Sequence, residues 1–280
     1  MRPKRCALVL CVILALLSPA VAAPQETDDA VWRAFLAWYK AAPATDGSPF
    51  TAYGSALQAD GVPAADVQRR MKTLQRLFGE RTDWVEVYFD KVFSRPLTGD
   101  PEVDRMSTAP TALLTSALAG RPAGTALDAG MGQGRNAIHL AKAGWRVTGF
   151  DLSAEAVAAA QANARQAGVR MEAVKASYAD FPFGDNKWDL IVLAFAWAPV
   201  TDPAFVSRLR QSLRPGGLVV FEHFIDDPAR PRPATMYALK PGQLRTLFDG
   251  FDIVRYEEVD DVGDWGGPGS RLVRMVAKRP

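Results

Sequence analysis

Three glycines at alternate positions, Gly130, Gly132 and Gly134, lie between an apolar segment and a helical one. Glycine is required where the backbone turns sharply and where a ligand approaches the main chain without a Cβ in the way. Free N–H groups at the start of the following helix favour a carboxylate or a phosphate. Asp151 lies 21 residues after Gly130, a spacing at which a carboxylate accepts hydrogen bonds from both hydroxyls of a ribose. The segment therefore predicts a nucleoside-binding site.

Loops of this type bind two classes of ligand. The dinucleotide motif is G-x-G-x-x-G, but Arg135 occupies the position of its third glycine. The spacing is instead D-x-G-x-G-x-G, beginning at Asp128. Residues 126–153 resemble the first motif of class I S-adenosylmethionine-dependent methyltransferases, and the run Gly134-Arg135-Asn136 is similar to their tellurite-resistance-type small-molecule branch. The resemblance extends over about residues 113–278.

The resemblance implies that the matching positions bind S-adenosylmethionine. Asp128 would help to hold the amino group of the cofactor, and Asp151 would bind its ribose. Asn136 belongs to the matching run and is expected to bind the cofactor as well. The loop backbone would line the methionine end of the cofactor at Gly130, Met131, Gly132 and Gly134.

The resemblance also assigns later segments to the adenine and to the transferred methyl group. Leu152 would pack against the adenine. The family often has an acidic residue near the adenine amino group, but Ser177 occupies that position here and Tyr178 follows it. The Ser177 hydroxyl and the Tyr178 main chain are therefore expected to hold the adenine. Residues 193–195, which begin with Leu193, are expected to face the methyl group.

Catalysis by such a protein depends on alignment of the acceptor, the methyl group and the sulfur. A base is needed only if the acceptor must lose a proton before it attacks. The candidates are Glu222 and His223, at the carboxyl end of the fifth predicted strand, together with Tyr88. The sequence leaves the choice among the three open. No metal is expected, because two isolated histidines make a poor ligand set.

The elements that position these residues follow a regular order. From Thr111 onward, short apolar runs alternate with helical stretches, which predicts βαβ units. The expected fold is α/β, a doubly wound, seven-stranded, mostly parallel sheet with an antiparallel last strand. The predicted strands are 126–129, 146–150, 170–175, 188–193, 217–222, 251–257 and 272–278. The predicted helices are about 111–119, 135–143, 154–167, 203–213 and 241–248.

The chain before this domain divides into two predicted parts. Residues 1–22 read as a signal peptide, with a basic start, an apolar run and the A-x-A signature Ala20-Val21-Ala22. Residues 23–105 are expected to form a small helical cap region, because apolar residues recur there at helical spacing. The methyltransferase domain would then span 106–280. The protein is expected to be exported, either to the periplasm or outside the cell, without stable membrane anchoring after cleavage.

Composition narrows the methyl acceptor. Without three basic residues of the predicted leader, 30 Lys and Arg face 31 Asp and Glu. Such a balance provides no general field that gathers nucleic acid. Residues 194–199 read AFAWAP and lack the [N/D]-P-P-[Y/F/W] stretch found in methyltransferases that act on base nitrogens or glutamine amides. A small-molecule acceptor is therefore expected, and no nucleic acid.

Two other classes of function stay open at this point. One is a non-catalytic exported module that binds an adenosine-containing ligand, which would explain an export signal on a protein whose cofactor is made in the cytosol. The other is an NAD(P)-dependent oxidoreductase on a similar sheet, against which Arg135 counts.

Overall fold

The computed structural model describes residues 26–43, 48–95, 107–226, 239–263 and 267–280. The predicted signal peptide lies outside these residues. The described chain forms two compact units, one that ends at Gly79 and one that runs from Glu80 to Pro280. The helical region predicted for residues 23–105 is thus divided between the two units, because its last helix belongs to the second.

The first unit consists of three helices, α1 (Asp28–Ala41), α2 (Pro49–Ala59) and α3 (Ala64–Phe78). Its centre is Phe35, whose side chain is fully buried and whose ring centroid lies 5.1 Å from that of Phe50. Aromatic side chains at helical spacing therefore supply the interior of this unit, as expected for an amphipathic helix bundle.

The second unit is built on one seven-stranded sheet of order β3-β2-β1-β4-β5-β7-β6. Strands β1 to β5 pair in parallel, whereas β7 runs antiparallel to both of its neighbours. The predicted fold class is confirmed. The strands are β1 (Thr125–Ala129), β2 (Arg146–Asp151), β3 (Glu172–Lys175), β4 (Trp188–Ala194), β5 (Leu213–Phe224), β6 (Asp252–Gly263) and β7 (Gly267–Lys278).

Helices cover both faces of the sheet. Alternate residues of each strand enter different apolar clusters, so that Leu127 belongs to one core and Ala126 to the other. This two-sided burial explains the nearly continuous apolar runs of the central strands. The helices of this unit are α4 (Trp84–Phe93), α5 (Ala112–Ala117), α6 (Arg135–Lys142), α7 (Ala154–Gln166), α8 (Pro203–Ser212) and α9 (Gln243–Leu247).

The strand order reverses beside β1, which pairs with β2 on one side and with β4 on the other. In an open α/β sheet, ligands bind at the carboxyl ends of the strands next to such a reversal. The three-glycine loop follows β1 directly, so the fold brings it to this position. No helix in the described part of the chain is both long and apolar enough to cross a bilayer.

Candidate active site

The loop after β1 has a backbone that only glycine adopts without strain. Gly130, Gly132 and Gly134 all have positive φ, at 74°, 53° and 84°. A Cβ added to Gly130 would lie 2.7 Å from both the Ala196 Cβ and the Tyr178 hydroxyl oxygen. Backbone conformation and the close approach of neighbouring side chains therefore both require glycine at Gly130, and the approach of a ligand to this loop stays a prediction.

Asp151 ends β2 with its carboxylate fixed by the main chain. Its Oδ2 accepts a hydrogen bond from the Gly132 N–H at 2.9 Å, and its Oδ1 accepts one from the Ser153 N–H at 3.0 Å. The side chain is only 8% exposed. Burial raises the pKa of Asp151 from its ordinary value of 3.8 to about 6, against the lowering effect of these backbone hydrogen bonds. Two of about four acceptor positions on the carboxylate are therefore used, which leaves others for ligand hydroxyls.

A cavity of about 920 Å³ opens at the carboxyl ends of the strands. Its volume lies in the range of small-molecule and cofactor sites. The structure brings together most of the predicted cofactor-binding residues on its wall: Gly130, Met131, Gly132, Asn136, Asp151, Leu152, Ser177 and Tyr178.

Three predicted cofactor-binding residues lie behind this wall instead. Asp128 is 2% exposed and accepts a hydrogen bond from the Ala137 N–H at 2.9 Å, and burial raises its pKa to about 7. Gly134 is the N-cap of α6. Leu193 points into the apolar core on one face of the sheet. Asp128 and Gly134 thus fix the junction of β1 and α6.

Ser177 and Tyr178 shape the region that follows β3. The Ser177 hydroxyl donates to Asp180 Oδ2 at 2.5 Å and accepts from the N–H groups of Ala179 and Asp180, both at 3.2 Å. The Tyr178 hydroxyl donates to the Ala129 carbonyl at 3.1 Å. Asp180, the acidic residue of this segment, therefore acts on Ser177 and fixes the turn at the cavity wall.

The three candidates for a base lie elsewhere. Among the described residues that line the cavity, none is Tyr88, Glu222 or His223. Glu222 is buried and accepts a hydrogen bond from Arg274 Nε at 2.6 Å. The Tyr88 ring stacks on Trp197, and burial raises its pKa. These roles in catalysis stay predictions.

His223 is buried beside two aromatic rings. Its side chain is 2% exposed, and neither ring nitrogen has a hydrogen-bond partner among the described residues. Burial lowers its pKa from 6.5 to about 4, so the imidazole is neutral at physiological pH. Its ring lies beside Phe221 and Phe224, with centroids 6.2 Å and 5.7 Å away.

Helix α4 supplies one wall of the cavity, whereas the sequence predicted only a helical cap region for this segment. Val85, Phe89 and Phe93 line the cavity and recur every four residues, which places them on one face of the helix. The Phe93 ring lies 3.2 Å from the position of a Cβ on Gly132. The four-residue spacing of these apolar side chains is visible in the sequence and could have predicted which face of α4 lines the cavity.

Two polar contacts join α4 to the sheet. The Ser153 hydroxyl donates to Asp90 Oδ1 at 2.7 Å, and Lys175 Nζ donates to Glu86 Oε1 at 2.6 Å. Ser153 also caps α7, because its hydroxyl accepts from the Ala156 N–H at 3.1 Å. Both contacts lie at the carboxyl ends of β2 and β3, so they hold α4 beside Asp151.

The order and directions of the seven strands are those of the class I methyltransferase fold. Residues 126–217 match the model of the family described as "Methyltransferase domain". The cofactor that this match implies is S-adenosylmethionine.

Individual relatives agree with this class. The chain is 36% identical over 110 residues to the ribosomal protein L11 methyltransferase of Thermus thermophilus, a match that covers 39% of this chain and 42% of that protein. The chain thus spans less than half the length of this relative. TehB from Haemophilus influenzae is similar in structure with a TM-score of 0.54 at 17% identity, covering 65% of this chain and 66% of that one. A SAM-dependent methyltransferase from Aquifex aeolicus has a TM-score of 0.52 at 18% identity, covering 69% and 98%. The two structural similarities concern the fold.

The residues present fit S-adenosylmethionine. Gly130 and Gly132 line the cavity with main-chain atoms only, so the loop presents bare backbone to a ligand. Asp151 is a buried carboxylate on the cavity wall with acceptor capacity left, as a ribose requires. Leu152 adds an apolar surface beside it.

Proposed function

We propose that this protein transfers the methyl group of S-adenosylmethionine to a small-molecule acceptor by in-line displacement. The observation that carries the proposal is the cavity wall on which Gly130 and Gly132 of the glycine loop meet Asp151. A sulfonium nucleoside needs both features, since the loop admits its methionine end and the carboxylate accepts its ribose hydroxyls.

The chain's own residues contribute orientation and exclusion of water. S-adenosylmethionine, when bound, supplies a methyl group already activated by its sulfonium. Alignment of two reactants contributes roughly 7–11 kcal/mol in well-oriented reactions. The ionised Asp151 carboxylate fixes the ribose, and the backbone at Gly130 and Gly132 borders the methionine end. Helix α4 closes one side of the cavity and excludes water from it.

A small acceptor is favoured by the volume and the lining of the cavity. Phe89, Phe93, Phe195 and Trp197 present apolar surface beside the glycine loop. The run Gly134-Arg135-Asn136 favours the tellurite-resistance-type branch, to which TehB gives support at the level of the fold. A protein acceptor is the second candidate, because the Thermus thermophilus relative is named for ribosomal protein L11.

Calorimetric titration with S-adenosylhomocysteine and, separately, with NADH tests the cofactor assignment. We expect S-adenosylhomocysteine to bind and NADH not to bind. The reverse result would favour an oxidoreductase. Turnover of S-adenosylmethionine is then measured with a panel of small acceptors and with ribosomal protein L11. Tight cofactor binding without turnover on any acceptor would instead favour a non-catalytic binding module.

Export is also part of the proposal. The basic start, apolar run and A-x-A signature of residues 1–22 support removal of a signal peptide. Mass spectrometry of the protein from its native host is expected to find an N-terminus near Ala23. An intact Met1 on soluble cytosolic protein would refute export.

A further inference from the structure

Four aromatic side chains line one part of the cavity and are called the aromatic wall below. Phe89 and Phe93 come from α4, while Phe195 and Trp197 follow β4. Phe93 lies against Gly132 of the glycine loop. The aromatic wall therefore borders the part of the cavity assigned to the cofactor, and a second molecule bound against this wall lies next to that cofactor.

Trp197 is held in one orientation by its neighbours on α4. Its ring is stacked on Tyr88, with centroids 5.7 Å apart and planes 13° apart. Phe89 meets it edge to face at 4.9 Å, and Trp84 does so at 6.1 Å. A ring that is already fixed loses little conformational entropy when a flat ligand packs against it. Trp197 is thus a preorganised surface for a planar molecule.

Phe195 shows backbone strain at the same place. Its φ of 53° lies in the left-handed region, which is unusual for a residue other than glycine. Its N–H donates to the Glu222 carbonyl at 2.7 Å, and the turn brings the next residue, Ala196, against Gly130. Strained conformations of this kind persist mainly at functional sites. The turn at Phe195 directs the chain away from the sheet, so that the residues after β4 line the cavity.

Charge at the aromatic wall bears on which acceptors this surface favours. The wall itself carries none, and an ion that leaves water for aromatic surface without a partner pays a large desolvation cost. Asp83, Glu86 and Asp151 also line the cavity. Glu86 is paired with Lys175 at 2.6 Å. Arg135 and Lys142 line the cavity as well, so its charged residues carry both signs, and the preference for a neutral acceptor comes from the uncharged aromatic wall.

We infer that the methyl acceptor is a neutral, planar aromatic molecule that packs against this aromatic wall, with Phe89 and Trp197 as specificity-determining residues. The inference rests on the proposed function, because it names the acceptor class for the same site. Aromatic pairs are more favourable than aliphatic contacts of equal area, by roughly 2- to 10-fold in affinity. An aromatic acceptor is thus distinguishable from an aliphatic one of the same size.

Binding of three probes of similar size tests the chemistry. The protein is first saturated with S-adenosylhomocysteine and then titrated calorimetrically with 2-naphthol, decahydro-2-naphthol or 2-naphthoic acid. We expect 2-naphthol to bind at least about 3-fold more tightly than its saturated analogue and more tightly than the carboxylate. Equal binding of the saturated probe, or stronger binding of the acid, would overturn the inference. Failure of S-adenosylhomocysteine itself to bind would instead refute the proposed function.

Matched variants locate the binding surface. Phe89→Leu and Trp197→Leu should each weaken 2-naphthol binding by roughly 3- to 10-fold. Phe251→Leu is the control, because Phe251 is a buried aromatic of the same unit that packs on Phe248 and lies outside the cavity lining. An unchanged affinity for 2-naphthol in both cavity variants, with S-adenosylhomocysteine still bound, would refute the aromatic wall as the acceptor site.

Discussion

Replacement of Asp151 by asparagine separates cofactor binding from stability. Both oxygens of the carboxylate accept backbone N–H groups, from Gly132 at 2.9 Å and from Ser153 at 3.0 Å. An asparagine side chain has one oxygen, so its NH2 group must face one of these N–H donors. The variant therefore loses one hydrogen bond to a charged acceptor, which costs about 1.5–3 kcal/mol of stability.

The buried charge of Asp151 acts in the opposite direction. Burial raises the pKa of Asp151 from 3.8 to about 6, which corresponds to about 3 kcal/mol lost to folding above that pH. Because the pKa is raised, the folded state binds the proton more tightly, and the contribution of Asp151 to stability falls as pH rises from about 4 to about 6. Asp151→Asn removes this cost. At pH 8 the two effects nearly cancel, and we expect the free energy of unfolding to change by about 1 kcal/mol or less.

In Asp151→Asn, no second effect offsets the loss of cofactor affinity. The variant presents a neutral side chain to the ribose hydroxyls, and the lost charged hydrogen bond weakens S-adenosylhomocysteine binding about 10- to 100-fold. In the unmodified protein, affinity should also fall as pH drops below about 6, where Asp151 becomes protonated. The measurements are urea unfolding at pH 8 and calorimetric titration from pH 5 to 8.

A control variant separates the effect of Asp151 on ribose binding from the general effect of losing a carboxylate in this unit. Asp189 lies near the start of β4, and its side chain accepts a hydrogen bond from the Thr125 N–H at 2.7 Å. It is not among the residues that line the cavity. Asp189→Asn should lower stability and leave the dissociation constant of S-adenosylhomocysteine unchanged. If Asp151→Asn also leaves that constant unchanged, the assignment of Asp151 to the ribose is wrong.

Three further substitutions test separate parts of the site. Gly130→Ala should lower the free energy of unfolding by about 1–3 kcal/mol more than Gly168→Ala does. Both glycines have positive φ, but only a Cβ at Gly130 meets neighbouring atoms. Urea unfolding measures both variants, and equal losses would contradict the close approach at Gly130. Asp90→Ala should lower stability by about 1 kcal/mol through loss of the hydrogen bond from Ser153, and Asp90→Asn, which keeps an acceptor, should lose less in thermal unfolding. His223→Leu should raise the free energy of unfolding by about 1 kcal/mol, because it removes a buried imidazole that has no hydrogen-bond partner among the described residues. Lost turnover in a folded variant would support the predicted base.

The sheet could be predicted because its signals are local. Strands such as β4 are buried on both faces and therefore appear as short apolar runs. The short segment between the last two strands required an antiparallel pair, which β6 and β7 form. The glycine loop and Asp151 were predicted for the same reason, since their residue types follow directly from backbone conformation and hydrogen bonding at two strand ends.

Other parts of the site depend on contacts that no local pattern carries. The hydrogen bond between Ser153 and Asp90 joins residues 63 positions apart. The position of Leu193 depends on strand alternation, which directs its side chain to the core, whereas the next residue, Ala194, already lines the cavity. A left-handed phenylalanine gives no sequence signal, because tertiary packing rather than residue type selects that conformation.

Ser153 makes α4 and the ribose carboxylate parts of one hydrogen-bonded network. Its N–H donates to Asp151, while its hydroxyl donates to Asp90 and caps α7. The negative charge of Asp90 also contributes to the raised pKa of Asp151. Displacement of α4 would take that charge away, and the pKa of Asp151 would fall. Burial is the larger cause of the raised pKa, so the charge of Asp90 adds to an effect that the closed cavity already produces.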